Sequence, residues 1–377
     1  MIDCDAFYDI LIENDIGFFT GVPDSLLEDV CACIRNRAPS DHHITTPNEG
    51  NAVALASGYH LATRRIALVY MQNSGLGNAV NPLTSLTDAE VYSIPVLLLI
   101  GWRGEPGVKD EPQHVKKGRV TLPLLQALEI PYAILPCGLP EAKAVVEEAV
   151  LYMKERSSPF ALVVRKDTFS PYRRGSGDVE VSDITREDAI GEIVKALRPG
   201  NLIVGTTGKI SRELYEYRTR HGPGIKTDFL TVGSMGHASH IALGIAVGCP
   251  DKDVVCLDGD GSVIMHMGAL GTIGFLKKAN LKHVVLNNGA HDSVGGQPTF
   301  GLEINIPEIA LACGYKKAYA AKRRDELAVN IGRFMDSGGP ALLEVRVRKG
   351  ARKDLGRPRE APVDNKKAFM DSIDGSI

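Results

Sequence analysis

Short apolar runs recur along this chain with helix-sized stretches between them, and that alternation limits the possible folds more than any other feature. Residues 66–71 and 96–100 are near-continuous apolar runs too short for helices, the pattern of strands covered on both faces. In the first half, residues 16–20, 44–45, 132–135 and 160–164 read as further strands, and 24–35, 49–63 and 141–156 as helices. In the second half the strand candidates are 202–205, 229–232, 254–257, 283–286 and 342–347, again with helical stretches between them. Thr185 and Asp188 have the spacing of a capping box that opens a helix running to Leu197. Each half is therefore expected to be an α/β domain with a mostly parallel sheet flanked by helices. Pro171, Arg173, Arg174, Gly175, Ser176 and Gly177 mark residues 170–182 as a linker between domains at 1–169 and 183–349. From Gly350 the chain is charged and holds Pro358 and Pro362, so residues 350–377 are expected to form an extension, either mobile or acting as a lid.

Composition narrows the function classes. At about 150 residues per domain, 377 residues allow two or three domains. A net charge of −3 asks for neither nucleic acid nor an anionic membrane, although a local basic cluster could still hold an acidic substrate. No apolar run approaches the roughly 18 residues of a membrane helix. The acidic start, Met1-Ile2-Asp3-Cys4-Asp5, lacks a signal-peptide n-region. The seven cysteines are odd in number and form no CxxC pair. Buried reduced thiols in a cytoplasmic protein are the expectation.

Ligands of parallel α/β sheets collect at the carboxyl ends of strands. There the strand candidate 254–257 runs directly into Asp258-Gly259-Asp260-Gly261-Ser262. Glycines on both sides of Asp260 let the backbone bend and approach a ligand closely. A following helix start offers free amides to phosphate oxygens, and Asp260 offers a hard oxygen suited to Mg²⁺. The next strand candidate ends in Asn287-Asn288-Gly289-Ala290. If the two strands are neighbours, Asp260 and Asn288 meet at one sheet edge. Gly208-Lys209 is not a phosphate-binding P-loop, because Ile210 stands where that motif needs Ser or Thr.

This pair of motifs resembles the signature of thiamine-diphosphate-dependent 2-oxo acid decarboxylases. The resemblance implies that Asp260, Asn288 and the backbone oxygen of Ala290 hold Mg²⁺. It implies that Gly205, Thr206, Thr207, Ser234, Gly259, Gly261 and Ser262 meet the thiamine diphosphate, with Met235 propping its bent shape. Thr46-Pro47-Asn48-Glu49-Gly50-Asn51 resembles the family's glutamate element. Glu49 is thereby expected to hydrogen-bond the cofactor's pyrimidine ring and promote the tautomer that deprotonates the thiazolium C2.

No room remains for a middle domain, which resembles the short subgroup containing the phosphonopyruvate and sulfopyruvate decarboxylases. Agreeing motifs are Gly21-Val22-Pro23-Asp24-Ser25, Gln72-Asn73-Ser74-Gly75-Leu76-Gly77-Asn78, Trp102-Arg103-Gly104-Glu105-Pro106 and Asp110-Glu111-Pro112-Gln113-His114. The run Asn288-Gly289-Ala290-His291-Asp292-Ser293-Val294-Gly295-Gly296-Gln297-Pro298-Thr299 tips the balance toward the phosphonate side. The implied reaction turns 3-phosphonopyruvate into phosphonoacetaldehyde and CO₂ in phosphonate biosynthesis. Sulfopyruvate as substrate, a broader 2-oxo acid decarboxylase or carboligase, and a catalytically silent cofactor-binding subunit are the alternatives. A dianionic substrate needs cations, for which Arg103, Lys109 and His291 are candidates. Arg352, Lys353 and Arg357 could close over it. Asp24 and His114 are the candidates for proton transfer. The family's cofactor lies between two subunits, so a homodimer is the expected minimum and a tetramer is open.

Overall fold

The apolar runs, joined in the second half by a half-exposed edge strand at Lys317–Ala321 that they do not mark, become two six-stranded sheets, all parallel, in a computed structural model that describes residues 1–172, 182–222 and 224–374. The chain divides into two compact units, Met1–Ser176 and Gly177–Ile377. The linker expected at 170–182 lies mostly outside the described residues.

The first unit runs α1 (Cys4–Glu13), β1 (Phe19–Gly21), α2 (Glu28–Arg37), β2 (His43–Thr45), α3 (Glu49–Thr63), β3 (Ala67–Gln72) and α4 (Leu76–Ser85). It continues through β4 (Val96–Gly101), α5 (Pro112–Ala127), β5 (Tyr132–Ile134), α6 (Leu139–Arg156) and β6 (Phe160–Val164). Its strand order is β2-β1-β3-β4-β6-β5. Strand side chains alternate between faces. Leu97 and Leu99 enter the core under α1, α2 and α6. Val96, Leu98 and Ile100 enter the core under α3, α4 and α5. This is why β4 is apolar at every position. Helix α2 begins four residues later than its pattern predicts, because Asp24 turns inward and its Oδ2 takes the Leu26 amide at 3.0 Å.

The second unit runs α7 (Arg186–Lys195), β7 (Leu202–Gly205), α8 (Lys209–His221), β8 (Asp228–Leu230), α9 (Ala238–Gly248), β9 (Val254–Gly259), α10 (Asp260–Met265) and α11 (Ala269–Leu276). It continues through β10 (Leu281–Asn287), the short antiparallel pair β11 (Ala290–His291) and β12 (Gln297–Pro298), α12 (Ile306–Ala312), β13 (Lys317–Ala321), α13 (Arg324–Asp336), β14 (Ala341–Arg346) and α14 (Pro362–Ile373). Its sheet order is β13-β14-β10-β9-β7-β8. The Thr185 hydroxyl caps α7 by accepting the Asp188 amide at 3.1 Å. Strands β8 and β9 are added on opposite sides of β7, so the strand order turns about there, the kind of switch point that opens a crevice beyond the strand ends.

The segment after Gly350 is anchored rather than free, through helix α14. Helix α14 packs on edge strand β8, where the Asn365 amide donates to the Asp228 carbonyl at 2.8 Å and accepts from the Leu230 amide at 3.0 Å. Phe369 sits edge-on to Phe229, with ring centres 5.8 Å apart. Arg352 pairs with Glu187, Glu216 and Asp354, so its charge is already matched, while Lys353 is exposed. The open edge of β8 supplies the physical reason: its unpaired backbone groups need partners.

Candidate active site

In the first unit, the ends of β1, β3 and β4 gather a buried polar group. Asparagine 48 caps α3 by accepting the Gly50 amide at 2.8 Å, which fixes Glu49 as the first helical residue. Glu49 is 4% exposed, and its Oε2 accepts from the Asn78 amide at 2.7 Å. Gly75 is closely applied to the carboxylate, and a β-carbon there would collide with it. Burial raises the Glu49 pKa, opposed by the Asn78 hydrogen bond and by the charge of Lys117. Asp24 is wholly buried; its Oδ1 accepts from the Gln72 amide at 2.6 Å, and Ser74 donates to Gln72 Oε1 at 2.7 Å. Burial raises the Asp24 pKa despite these bonds and the nearby Arg103.

Arg103 is not a lone cation. Its guanidinium grips Asp110 with two bonds of 2.8 and 2.5 Å, and its Nη1 donates to Ser25 at 2.8 Å. His114 is buried, and its Nδ1 has no hydrogen-bond partner among the described residues. Burial and the Arg103 charge push it down to about 4, so it is neutral at pH 7. Lys109 is exposed, and no hydrogen bond or ion pair ties it to this group among the described residues.

In the second unit, the β7, β8, β9 and β10 loops converge. The Thr206 and Ser262 hydroxyls are 3.0 Å apart. Ser262 Oγ accepts the Gly236 amide at 3.0 Å, and Thr207 Oγ1 accepts the Gly233 amide at 2.9 Å. The 233–236 turn needs left-handed backbone at Gly233 (φ 68°), Ser234 (φ 48°) and Gly236 (φ 85°). Gly208 (φ 97°) likewise strains any side chain by its backbone, and a β-carbon there would also crowd Ser293 Oγ at 2.5 Å. At Gly261 a β-carbon would lie 2.9 Å from the His291 ring and 3.4 Å from Met235 Cε, so these residues share one small space. His291, offered as a cation, is buried and pushed down to about 4. It is therefore neutral at pH 7 and can only exchange hydrogen bonds.

Strands β9 and β10 are parallel neighbours, and they bring Asp260 and Asn288 together. The Asn288 backbone amide lies 3.5 Å from Asp260 Oδ1, and the Thr299 hydroxyl donates to Asp260 Oδ2. Asn288 Oδ1 accepts the Ala290 amide at 3.0 Å. Asp260 is 2% exposed and has no cationic partner among the described residues, and burial pushes its pKa up to about 6. A buried carboxylate, a carboxamide oxygen and a backbone carbonyl are hard oxygen donors of the kind Mg²⁺ takes. The uncompensated charge of Asp260 is what a dication would neutralise, so these residues fit a metal-bound diphosphate.

The residues that sequence reasoning missed are Asn78, Asp110, Lys117, Asp292 and Thr299. Asn78, Asp110, Asp292 and Thr299 lay inside motifs already singled out, but nothing in their spacing assigned them partners.

Keeping His114 and His291 neutral has a stability consequence. Their folded pKa values, about 4, lie below the ordinary 6.5 of an unfolded chain. That stabilisation is complete above pH 6.5 and is lost as pH falls toward 4. Between pH 7 and 5 His291 should remove about 2 kcal/mol, and the less deeply enclosed His114 a smaller amount. Urea unfolding at pH 7, 6 and 5 checks this, and His114→Gln should flatten the acid slope by its share.

Two family models match the chain: the thiamine pyrophosphate enzyme N-terminal TPP binding domain over residues 4–121, and the C-terminal TPP binding domain over 206–345. The phosphonopyruvate decarboxylase of Streptomyces viridochromogenes is 34% identical, with 93% of this chain and 89% of that protein aligned. The phosphonopyruvate decarboxylase of Streptomyces hygroscopicus is 35% identical, with the same coverage. The sulfopyruvate decarboxylase of Methanosarcina acetivorans is 26% identical, covering 97% of this chain and 96% of its own.

Proposed function

The chain belongs to the thiamine pyrophosphate enzymes, and on that footing we propose that it decarboxylates 3-phosphonopyruvate to phosphonoacetaldehyde and CO₂ in phosphonate biosynthesis. The observation that carries this reading is identity of 34–35% to two phosphonopyruvate decarboxylases along 93% of the chain. The weaker full-length likeness to a sulfopyruvate decarboxylase makes the sulfonate analogue the second reading.

Asp260, Asn288 and the Ala290 carbonyl are assigned to Mg²⁺. Gly205, Thr206, Thr207, Ser234, Gly259, Gly261 and Ser262 are assigned to the diphosphate, with Met235 beneath the cofactor. Bound thiamine diphosphate supplies a carbon nucleophile and an electron sink for the pair released with CO₂. The protein's part is orientation, proton transfer and exclusion of water. Glu49, held by Asn78, holds or releases a proton at its carboxylate against the cofactor's pyrimidine ring. Asp24 is the better acid of the two proton-transfer candidates, because burial raises its pKa. His114 stays neutral and acts as an acceptor or a hydrogen-bond donor. Arg103, steadied by Asp110, presents its remaining guanidinium face to an anionic substrate, with Lys109 and His291 as further contacts. A homodimer, or a tetramer built from two, unites the two site halves in a reducing cytoplasm that suits seven free cysteines.

The test mixes the purified chain with thiamine diphosphate, Mg²⁺ and phosphonopyruvate, and follows phosphonoacetaldehyde by phosphorus NMR. Parallel reactions hold sulfopyruvate and pyruvate, with released CO₂ measured in each. Rapid conversion of phosphonopyruvate alone is expected. CO₂ mainly from sulfopyruvate overturns the substrate and keeps the chemistry, whereas none from any of the three favours a silent subunit.

A further inference from the structure

Asn288 is gripped from behind. Its Nδ2 donates to Asp292 Oδ2 at 2.9 Å, which leaves Oδ1 as the atom turned to other partners. The same Asp292 oxygen takes the Arg186 Nη1 at 2.8 Å and the Gly350 amide at 2.9 Å. Arg186 is in turn clamped on Glu213 by bonds of 2.7 and 2.9 Å, and its Nη2 reaches the Gly350 carbonyl at 3.2 Å. The three charged side chains are 4%, 2% and 8% exposed for Arg186, Glu213 and Asp292.

Among the described residues one guanidinium is hydrogen-bonded to both carboxylates here, with Arg212 acting on Glu213 at longer range, so negative charge is concentrated beside Asn288. Buried charge of that kind is costly unless something nearby is positive. A carboxamide can also present either its oxygen or its NH₂ group, and only the oxygen ligates a metal. Asp292 accepts from the NH₂ group and, together with the Ala290 amide that donates to Oδ1 at 3.0 Å, sets which way the amide faces.

We propose that Asp292 and Arg186 are positioning residues for the metal: Asp292 orients Asn288 and lends it negative charge, while Arg186, braced by Glu213, holds Asp292 in place. Gly350 joins the start of the C-terminal segment to the same point. Partners that orient metal ligands from behind typically change metal affinity by 10–100-fold when removed. This rests on the reading of Asn288 as a metal ligand.

The experiment titrates metal-stripped protein with Mg²⁺ at saturating thiamine diphosphate and reads the rise in melting temperature, with calorimetry as a second readout. Asp292→Ala should weaken Mg²⁺ about 10–100-fold. The double variant Asn288→Ala/Asp292→Ala should bind within about twofold of Asn288→Ala alone, because the two residues act through one contact. Arg186→Lys keeps the charge but loses the fork, and should fall between wild type and Asp292→Ala. If Asp292→Ala does not fold, Asp292→Asn carries the test, since it keeps the volume and an acceptor oxygen but drops the charge; it should still weaken Mg²⁺ measurably. Native Mg²⁺ affinity in the Asp292 variants, or an Asp292→Ala loss that adds in full to that of Asn288→Ala, overturns the proposal. Native affinity in Asn288→Ala instead rejects the metal-ligand reading itself.

Discussion

Exchanging Glu49 for Gln should slow turnover by roughly 10²–10⁴-fold, the usual weight of one positioned proton-transfer group, while thiamine diphosphate and Mg²⁺ still bind. The two side chains have nearly the same shape, and Gln keeps an oxygen for the Asn78 amide that now bonds Glu49 at 2.7 Å. What Gln lacks is an ionisable proton site. Burial against Gly75 makes that site more basic than an ordinary glutamate, which suits a group that must take and return a proton. The nearby Lys117 pulls the other way, and Lys117→Met should therefore raise the Glu49 pKa further. Calorimetric cofactor binding and single-turnover CO₂ release, measured on the same preparation, separate binding from chemistry. A Gln variant that decarboxylates at the native rate would remove Glu49 from the mechanism.

Most strands were legible because their signal is local; the half-exposed edge strand β13, with no apolar run of its own, was not. Val96 to Ile100 can be apolar at every position only where both faces are covered. The meeting of Asp260 and Asn288 was legible for a related reason: each directly follows a strand, and the two strands pair in parallel. Charges were harder to read. Arg103 looks like a cation for an anionic substrate until the loop folds Asp110 back onto it, and no periodicity encodes that path. His114 and His291 look like proton carriers or cations in sequence, but their burial holds both down to about 4. The tail misled by composition. Its charge and prolines read as unanchored, whereas Asn365 and Phe369 fasten it to a strand edge more than a hundred residues earlier in the chain.

Asp260 should show opposite effects with and without metal. Asp260→Ala should lose Mg²⁺ and thiamine diphosphate together, removing the stabilisation of about 2.7 kcal/mol that a ligand at 100 times its Kd provides. In metal-free protein the sign reverses. There the carboxyl sits at about 6 rather than 3.8, since burial disfavours its charged form. A carboxylate raised in this way costs nothing below pH 3.8, and its penalty grows as pH rises through 6. The full penalty is about 3 kcal/mol at neutral pH. Metal-free Asp260→Asn, which keeps the shape without the charge, should thus match wild type near pH 4 and exceed its stability at pH 7 and above. Adding Mg²⁺ with thiamine diphosphate should restore the wild type's advantage. Urea unfolding between pH 4 and 8, with and without the ligands, reads all four states. If the metal-free Asn variant tracks wild type at every pH, the unmatched charge does not reside on Asp260. If it gains stability but still binds Mg²⁺ at native affinity, Asp260 carries the buried charge without holding the metal.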